Sequence, residues 1–252
     1  MRMNELLFVV KLLLSVICWV VLIILGHLLD KELFITKYLQ KILNIIINLA
    51  GFNRIHISEK SKERYYKVLN SGLKCLAIYN HRSYYDGIIM CSLFPKCKML
   101  MNNCVSRHVP YFEDGLEKIG YIIFEQNKLN NNITQKILDV VRNRKKGDGV
   151  LMIAPDGMNK LSANECIAPY RSGAFVGLFP ILPIVIKYKN YRISPEQTNY
   201  FNGAEAFVHK LLDDKCEVYI EVMKLVKPKC DVSFDKYKES VHRLMSQQYM
   251  NM

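Results

Sequence analysis

Residues 73–87 read Leu73-Lys74-Cys75-Leu76-Ala77-Ile78-Tyr79-Asn80-His81-Arg82-Ser83-Tyr84-Tyr85-Asp86-Gly87. The apolar run that ends at Tyr79 predicts a buried strand, and the polar residues after it predict a loop at the edge of a sheet. An imidazole at that edge is accessible to substrates, and Asp86 can turn back to accept the second N–H of His81. A base with an orienting carboxylate is what deprotonation of a hydroxyl group requires. We therefore take His81 and Asp86 as the candidate catalytic residues.

Short apolar runs alternate with segments of helical periodicity in the rest of the chain. Strands are predicted at residues 73–80, 98–104, 121–124, 149–154, 181–187 and 217–226. Helices are predicted at residues 87–94, 109–119, 133–145, 204–212 and 234–249. The stretch 58–67 is polar and is assigned no element. Such alternation is typical of an α/β fold, with a mostly parallel sheet flanked by helices.

A long apolar segment precedes this region. Residues 12–29 read LLLSVICWVVLIILGHLL, and these eighteen residues, as a helix, span about 27 Å, enough to cross a bilayer core. A second apolar stretch, residues 42–50, is too short to cross alone, so it lies in the membrane interface or packs beside the first helix. Residues 1–57 are therefore predicted to form a membrane anchor, a single helix or a helical hairpin, ahead of an α/β domain over residues 58–252. A buried core helix is the alternative for the first segment.

The distribution of basic residues predicts an orientation for this anchor. Four lysines and arginines follow the first helix up to residue 54, and two precede it. Because cytosolic flanks of membrane helices carry the excess of positive charge, the C-terminal domain is expected to face the cytosol. We expect the membrane to be the endoplasmic reticulum or another intracellular membrane.

The composition narrows the partners of the chain. The net charge is +12, spread along the sequence without a basic arm or a zinc-finger or RNP-type pattern. With the apolar N terminus, this charge favours a lipid bilayer and phosphorylated substrates over nucleic acid. The eight cysteines show no C-x-x-C spacing, and the histidines and cysteines form no close ligand set. We therefore expect reduced thiols and no metal site.

Three further motifs follow the His81–Asp86 motif in order. They are Gly120-Tyr121-Ile122-Ile123-Phe124-Glu125, Ala154-Pro155-Asp156-Gly157, and Phe179-Pro180-Ile181-Leu182-Pro183-Ile184-Val185-Ile186, the last preceded by Arg171-Ser172-Gly173-Ala174-Phe175. Over about residues 75–190 the series resembles the glycerolipid acyltransferase family, of which 1-acylglycerol-3-phosphate acyltransferase is the bacterial archetype. The stretch 173–190 is similar to eukaryotic members that acylate glycerol phosphates and lysophospholipids.

The resemblance implies a function for the chain. It implies a membrane-bound O-acyltransferase of phospholipid biosynthesis that moves a fatty acyl group from acyl-CoA to the free hydroxyl of lysophosphatidic acid, making phosphatidic acid. His81 would be the general base and Asp86 its orienting partner. Acyl-CoA would be a co-substrate, and no cofactor is expected because the thioester is already activated. The expected substrate-binding residues are Asp156, Gly157, Lys128, Lys160 and Arg171.

The chain departs from the family pattern where arginines are usual. Glu125-Gln126-Asn127 stands in the second block, with Lys128 after it, and Met158-Asn159 stands in the third, with Lys160 after it. Lysine neutralises a phosphate but lacks the two-pronged guanidinium, so acceptor binding is expected to differ.

Three alternatives to this function are considered, and the departures motivate the first two. The acceptor can be a lysophospholipid with a choline, ethanolamine or glycerol headgroup, or glycerol 3-phosphate. The protein can also be a catalytically weak, membrane-bound lipid-binding protein that keeps the fold. A serine hydrolase is disfavoured because the sequence has no G-x-S-x-G motif.

Overall fold

The structure, a computed structural model, describes residues 3–30, 34–52, 54–83, 85–94, 96–103, 113, 116–117, 120–124, 132–157, 166–189 and 216–252. Its helices and strands in chain order are α1 (Met3–Leu28), α2 (Gln40–Leu49), β1 (Arg54–Ile57), α3 (Glu59–Ser71), β2 (Leu76–Tyr79), α4 (Asp86–Leu93), β3 (Lys98–Asn102), β4 (Ile122–Phe124), α5 (Asn132–Arg142), β5 (Leu151–Ile153), β6 (Ile181–Lys189), β7 (Glu217–Val222) and α6 (Phe234–Asn251). A π-helical turn at Phe34–Leu39 leads into α2, and a 3₁₀ turn at Ser172–Ala174 precedes β6.

The described strands form one seven-stranded sheet in the order β1-β7-β6-β2-β5-β3-β4. The five strands from β6 to β4 are parallel. At the other edge β7 runs antiparallel to β6, and β1 pairs in parallel with β7. The mostly parallel α/β sheet predicted from the sequence is therefore confirmed.

Helices cover both faces of this sheet. Ala77 and Tyr79 of β2 belong to a cluster that includes buried side chains of α2, α3 and α4, whereas Leu76 and Ile78 belong to a cluster with α5 and α6. All four residues of β2 are buried. Because a strand covered on both faces needs apolar side chains at every position, the uninterrupted apolar run of this segment follows from its central place.

The first helix is exposed and apolar. Within α1, residues 6–26 have a mean hydropathy of 3.0, are 11% buried, and form the one described helix whose length and composition suit a membrane span. The second apolar stretch contains α2, which packs against α1 and α4 and buries Ile42, Leu43, Ile46 and Ile47. Of the two placements expected for this stretch, the structure shows packing beside the first helix.

Two elements were not predicted from the sequence. β1 lies inside the sheet ahead of the predicted domain start at residue 58, and its residues alternate between exposed and half-buried positions. The stretch taken as merely polar forms α3, which starts where Ser58 Oγ accepts the N–H of Ser61 at 3.1 Å and ends at Gly72 with φ of 66°. Both elements carry polar residues on an exposed side, so few apolar residues are left to reveal the periodicity of a strand or helix in the sequence.

Some strand boundaries in the structure differ from the predicted ones. β7 ends at Val222, four residues before the predicted end, and β6 continues two residues beyond its predicted end to Lys189. The predicted helix at residues 204–212, and most of that at 109–119, lie outside the described residues. The division of the chain at residues 57 and 58 stays a prediction.

Candidate active site

The loop between β2 and α4 is built around the carboxylate of Asp86. The His81 Nδ1 lies 2.7 Å from Asp86 Oδ2. The same oxygen accepts the backbone N–H groups of Arg82 at 2.5 Å and Ser83 at 2.8 Å, and the Tyr188 hydroxyl donates to Oδ1. Asp86 is 0% exposed, so these four donors replace its lost contact with water. The carboxylate and the imidazole are therefore fixed relative to each other.

Both ends of this loop are anchored to secondary structure. Asp86 is the first residue of α4, where the free N–H groups and the helix dipole favour a negative charge. At the other end, the Asn80 side-chain amide donates to the Ile186 carbonyl at 2.9 Å and its oxygen accepts the Ile186 N–H at 2.8 Å. Asn80 thus extends the pairing of β2 with β6 by one residue and places His81 directly at the sheet edge.

The His81 imidazole has the properties of a general base. Its side chain is 21% exposed, and with the Nδ1 proton directed at Asp86 the lone pair lies on Nε2. Burial lowers the pKa of His81, but the hydrogen bond that its Nδ1–H donates to Asp86 and the charges of Asp86 and Asp156 outweigh burial, so the pKa lies above its ordinary value of 6.5. A more basic imidazole takes a hydroxyl proton more readily.

The turn after β5 reaches the same histidine. Asp156 Oδ2 accepts the backbone N–H of His81 at 2.9 Å, and Asp156 is 2% exposed. Burial raises the pKa of the Asp156 carboxyl to about 7, although the charge and backbone N–H of His81 act in the opposite direction. The carboxyl ends of the adjacent parallel strands β2 and β5 thus bring residues 75 positions apart into contact.

Gly157 and Arg171 complete this edge of the sheet. Gly157 has φ of 57°, a left-handed conformation that glycine adopts without strain. A Cβ built at Gly157 would lie 3.5 Å from Arg171 Nη2, so the guanidinium rests against the turn. The Arg171 N–H donates to the Pro155 carbonyl at 2.8 Å, which ties the two loops together. The exposed Arg171 therefore adds a positive charge beside the candidate catalytic pair.

The connections that follow β2 and β5 diverge to opposite faces of the sheet at this position. The connection that follows β2 contains α4 and packs on one face of the sheet, whereas the connection that follows β5 places Tyr170 and Phe175 on the other face. In parallel α/β sheets, substrates bind where such connections diverge beyond the strand ends. The candidate site occupies this divergence.

The structure gathers five of the seven site residues that the sequence predicts. His81, Asp86, Asp156, Gly157 and Arg171 lie together, while Lys128 and Lys160 are outside the described residues. Among the residues that the structure describes, no group of three or more His, Cys, Asp or Glu side chains is arranged to hold a metal ion.

Sequence reasoning missed the role of Tyr188. Its hydroxyl donates to Asp86, and it shares a face of β6 with Ile184 and Ile186. Alternation along β6 gives that face, but the contact also depends on the pairing of β6 with β2. The local sequence pattern does not indicate which strand pairs with β6.

Comparisons with known proteins agree with this architecture. A family model described as Acyltransferase matches residues 54–187, which is more than half of the chain and includes both candidate catalytic residues. Comparison with curated protein sequences gives no match. The crystal structure of the 1-acyl-sn-glycerophosphate (LPA) acyltransferase PlsC from Thermotoga maritima is similar in fold, with a TM-score of 0.62, 12% identity and 97% of each chain covered. The chain therefore belongs to the acyltransferase family.

Proposed function

We propose that this protein transfers a fatty acyl group from acyl-CoA to the free hydroxyl of lysophosphatidic acid, forming phosphatidic acid. The observation that carries this proposal is the 2.7 Å contact between His81 Nδ1 and Asp86 Oδ2 in a chain of the acyltransferase family. The contact orients the imidazole with Nε2 as the proton acceptor, which is the arrangement that hydroxyl activation needs.

The reaction then proceeds by direct transfer. His81 Nε2 takes the proton of the acceptor hydroxyl while its oxygen attacks the thioester carbonyl carbon of acyl-CoA. Collapse of the tetrahedral intermediate breaks the carbon–sulfur bond, and the imidazolium returns the proton to the departing CoA thiolate. Asp86 stabilises the imidazolium between these steps. The step needs no acyl-enzyme and no further cofactor, since a positioned base supplies about 10²- to 10⁴-fold and the thioester is already activated.

Arg171 supports a phosphorylated acceptor. Its guanidinium lies against the Gly157 turn, on the same loop edge as His81, where a guanidinium binds a phosphate through paired hydrogen bonds. Lys128 and Lys160, which stand one position after the usual arginines, are proposed to supply further positive charge. A lysophospholipid with a choline, ethanolamine or glycerol headgroup is the second candidate acceptor. The two missing arginines favour it, because a terminal phosphate would be held by fewer hydrogen bonds.

We also propose that α1 anchors the protein in an intracellular membrane such as the endoplasmic reticulum, with the α/β domain facing the cytosol. Large apolar side chains of α1, including Leu13, Ile17 and Ile24, are exposed, which is favourable in lipid and costly in water. Protease treatment of sealed membranes tests the orientation. Digestion of residues 60–252 without detergent is the expected result, and their protection would place the domain in the lumen.

Acyl transfer by membranes that contain the protein tests the function. Labelled oleoyl-CoA would be offered with lysophosphatidic acid, glycerol 3-phosphate or one of several lysophospholipids, using wild type, His81→Ala and His56→Ala. His56 is a matched control because it is a partly exposed histidine on the edge strand β1.

We expect labelled phosphatidic acid from wild type and His56→Ala and at least about 100-fold less from His81→Ala. If product forms with only one of the other acceptors, that acceptor would replace lysophosphatidic acid in the proposal. The absence of His81-dependent product with any acceptor, from folded protein, would favour the non-catalytic lipid-binding alternative.

A further inference from the structure

We propose that Asp156 is a positioning residue that acts through His81, by holding the backbone of the base in place, and that it does not contact the acceptor. This inference rests on the proposed function, because it requires His81 to be the general base. It reinterprets the sequence expectation, in which Asp156 belongs to the substrate-binding residues.

Two carboxylates together hold three consecutive backbone N–H groups. Asp156 Oδ2 accepts the N–H of His81 at 2.9 Å, and Asp86 Oδ2 accepts those of Arg82 and Ser83. Consecutive N–H groups that converge in this way form an anion-binding concavity. Here the protein's own side chains occupy it, so the loop conformation that presents the imidazole depends on both carboxylates.

The surroundings of Asp156 argue against a direct role in acceptor binding. Asp156 is 2% exposed, and its Oδ1 is buried with no hydrogen-bond partner among the described residues. A glycerol hydroxyl therefore has no exposed carboxylate oxygen to bind, and a phosphate would be repelled by the negative charge. Arg171, which is exposed beside Gly157, is better placed to bind that phosphate.

The length of the Asp156 side chain fits its hydrogen bond. Aspartate at this position reaches the His81 N–H at a normal distance from within a closed site. One additional methylene in a close-packed interior forces its neighbours to move. Asp156→Glu is therefore expected to displace the loop of the base, although the charge is retained.

The charge of Asp156 adds a second effect on His81. Among the described residues, the charges of His81 and Asp86 from the β2–α4 loop, Tyr79 from β2 and Tyr170 from the connection before β6 interact with it, and the Arg171 guanidinium lies against the adjoining Gly157. The negative charge of Asp156 raises the pKa of His81. The pKa of Asp156 is itself about 7, so the two groups titrate together.

Steady-state kinetics of Asp156→Asn and Asp156→Ala, measured in the full-length protein, test the proposal. The asparagine oxygen can still accept the His81 N–H, so we expect kcat to be retained within about tenfold, while the acid limb of the kcat/KM profile moves by roughly half a pH unit or more to lower pH. Alanine removes the acceptor, and we expect kcat to fall by about 10- to 100-fold. In both variants KM for the acceptor is expected to stay within about twofold.

Asp148→Asn is the matched control. Asp148 Oδ2 accepts the N–H of Lys145 at 2.8 Å in the loop before β5, at the opposite end of the strand that leads to Asp156. Its substitution should leave kcat and the pH profile unchanged.

A raised acceptor KM in Asp156→Asn with an unmoved acid limb would show direct acceptor contact and overturn the proposal. Wild-type kinetics in both Asp156 variants would also overturn the proposal for Asp156. The proposed function would still stand in that case, provided that His81→Ala is inactive. If His81→Ala is active, the proposed function fails first.

Discussion

The loop after β2 and the turn after β5 meet at His81, yet they hold it with carboxylates in different states. Asp86, on the first, is fully buried and receives four hydrogen bonds. Asp156, on the second, is almost as buried, receives the His81 N–H at one oxygen, and has no described partner at the other. One carboxylate is fully compensated for the loss of water, and the other is not.

This difference separates two tasks at one site. A fully bonded carboxylate gives a fixed imidazole orientation, which is the requirement for a base. A partly bonded buried carboxylate costs about 1–3 kcal/mol and is retained where it contributes to function. The β2–α4 loop therefore serves orientation, while the β5 turn combines backbone support with an adjustable charge.

Removal of the imidazole that joins the two regions should have the largest effect. His81→Ala is expected to lower kcat/KM for acyl transfer by about 10²- to 10⁴-fold, because no other described group stands at the base position. The fold should persist, since Asp156 bonds the backbone and not the ring of His81. A wild-type circular dichroism spectrum, with a melting temperature lowered by only a few degrees for the loss of one of the four donors to Asp86, checks that the loss of activity is chemical. Activity within twofold of wild type would contradict the assignment.

The pH dependence of stability should show that Asp156 is the carboxylate, of Asp86 and Asp156, whose burial is not fully compensated. Its folded pKa of about 7 is above its ordinary value of 3.8, so its contribution to stability is full below pH 4 and is lost as pH rises towards 7. Between pH 5 and 7 the free energy of unfolding of wild type should fall by roughly 2 kcal/mol relative to Asp156→Asn. Urea unfolding at several pH values measures this, and parallel pH curves for the two proteins would disprove it.

Tyr188→Phe should show that Asp86 depends on all of its donors. The change deletes the hydroxyl that donates to Asp86 Oδ1 and leaves the ring in place. We expect the free energy of unfolding to fall by about 1–3 kcal/mol, and kcat to fall by about threefold to tenfold with unchanged KM values. Tyr66→Phe, at an exposed position on α3, is the control. Equal stability of the two variants would mean that the hydroxyl contributes nothing to the site.

The smallest effect is expected at Arg171, on the acceptor side of the β5 turn. Arg171→Ala should raise KM for a phosphate-bearing acceptor by about threefold to tenfold and leave kcat nearly unchanged, because an exposed charge pair is screened by water. Arg171→Lys should give an intermediate KM. Arg142→Ala, an exposed arginine on α5, is the control. A lowered kcat with an unchanged KM would assign Arg171 to catalysis instead.

The sequence predicted the parts of this site that are local. His81 and Asp86 are five residues apart, and the apolar run before them fixes the strand end, so their contact follows from the short loop. The hydrogen bonds of Asp156 and Tyr188 span 75 and 102 residues, and they depend on β5 and β6 lying on either side of β2. Nothing in the local pattern specifies those neighbours.

The same distinction applies to the fold. Buried strands such as β2 were predicted because every position is apolar, whereas β1 was missed because Arg54 and His56 face outward at the sheet edge. The helix α3 carried usable signals, a serine cap at Ser58 and a terminal Gly72, but its apolar face is narrow. Elements with one polar side thus need the tertiary context to be recognised.

If His81 and Asp86 act as one unit on the acceptor hydroxyl, their substitutions will be strongly coupled, and a double-variant cycle measures that coupling. The rate of CoA release in the presence of acceptor would be measured for wild type, His81→Ala, Asp86→Asn and the protein with both changes. We expect a loss of at least about 100-fold in His81→Ala, and little further loss when Asp86→Asn is added, because the carboxylate works through the imidazole. Activity in His81→Ala, or an equal effect of Asp86→Asn with and without the histidine, would contradict it.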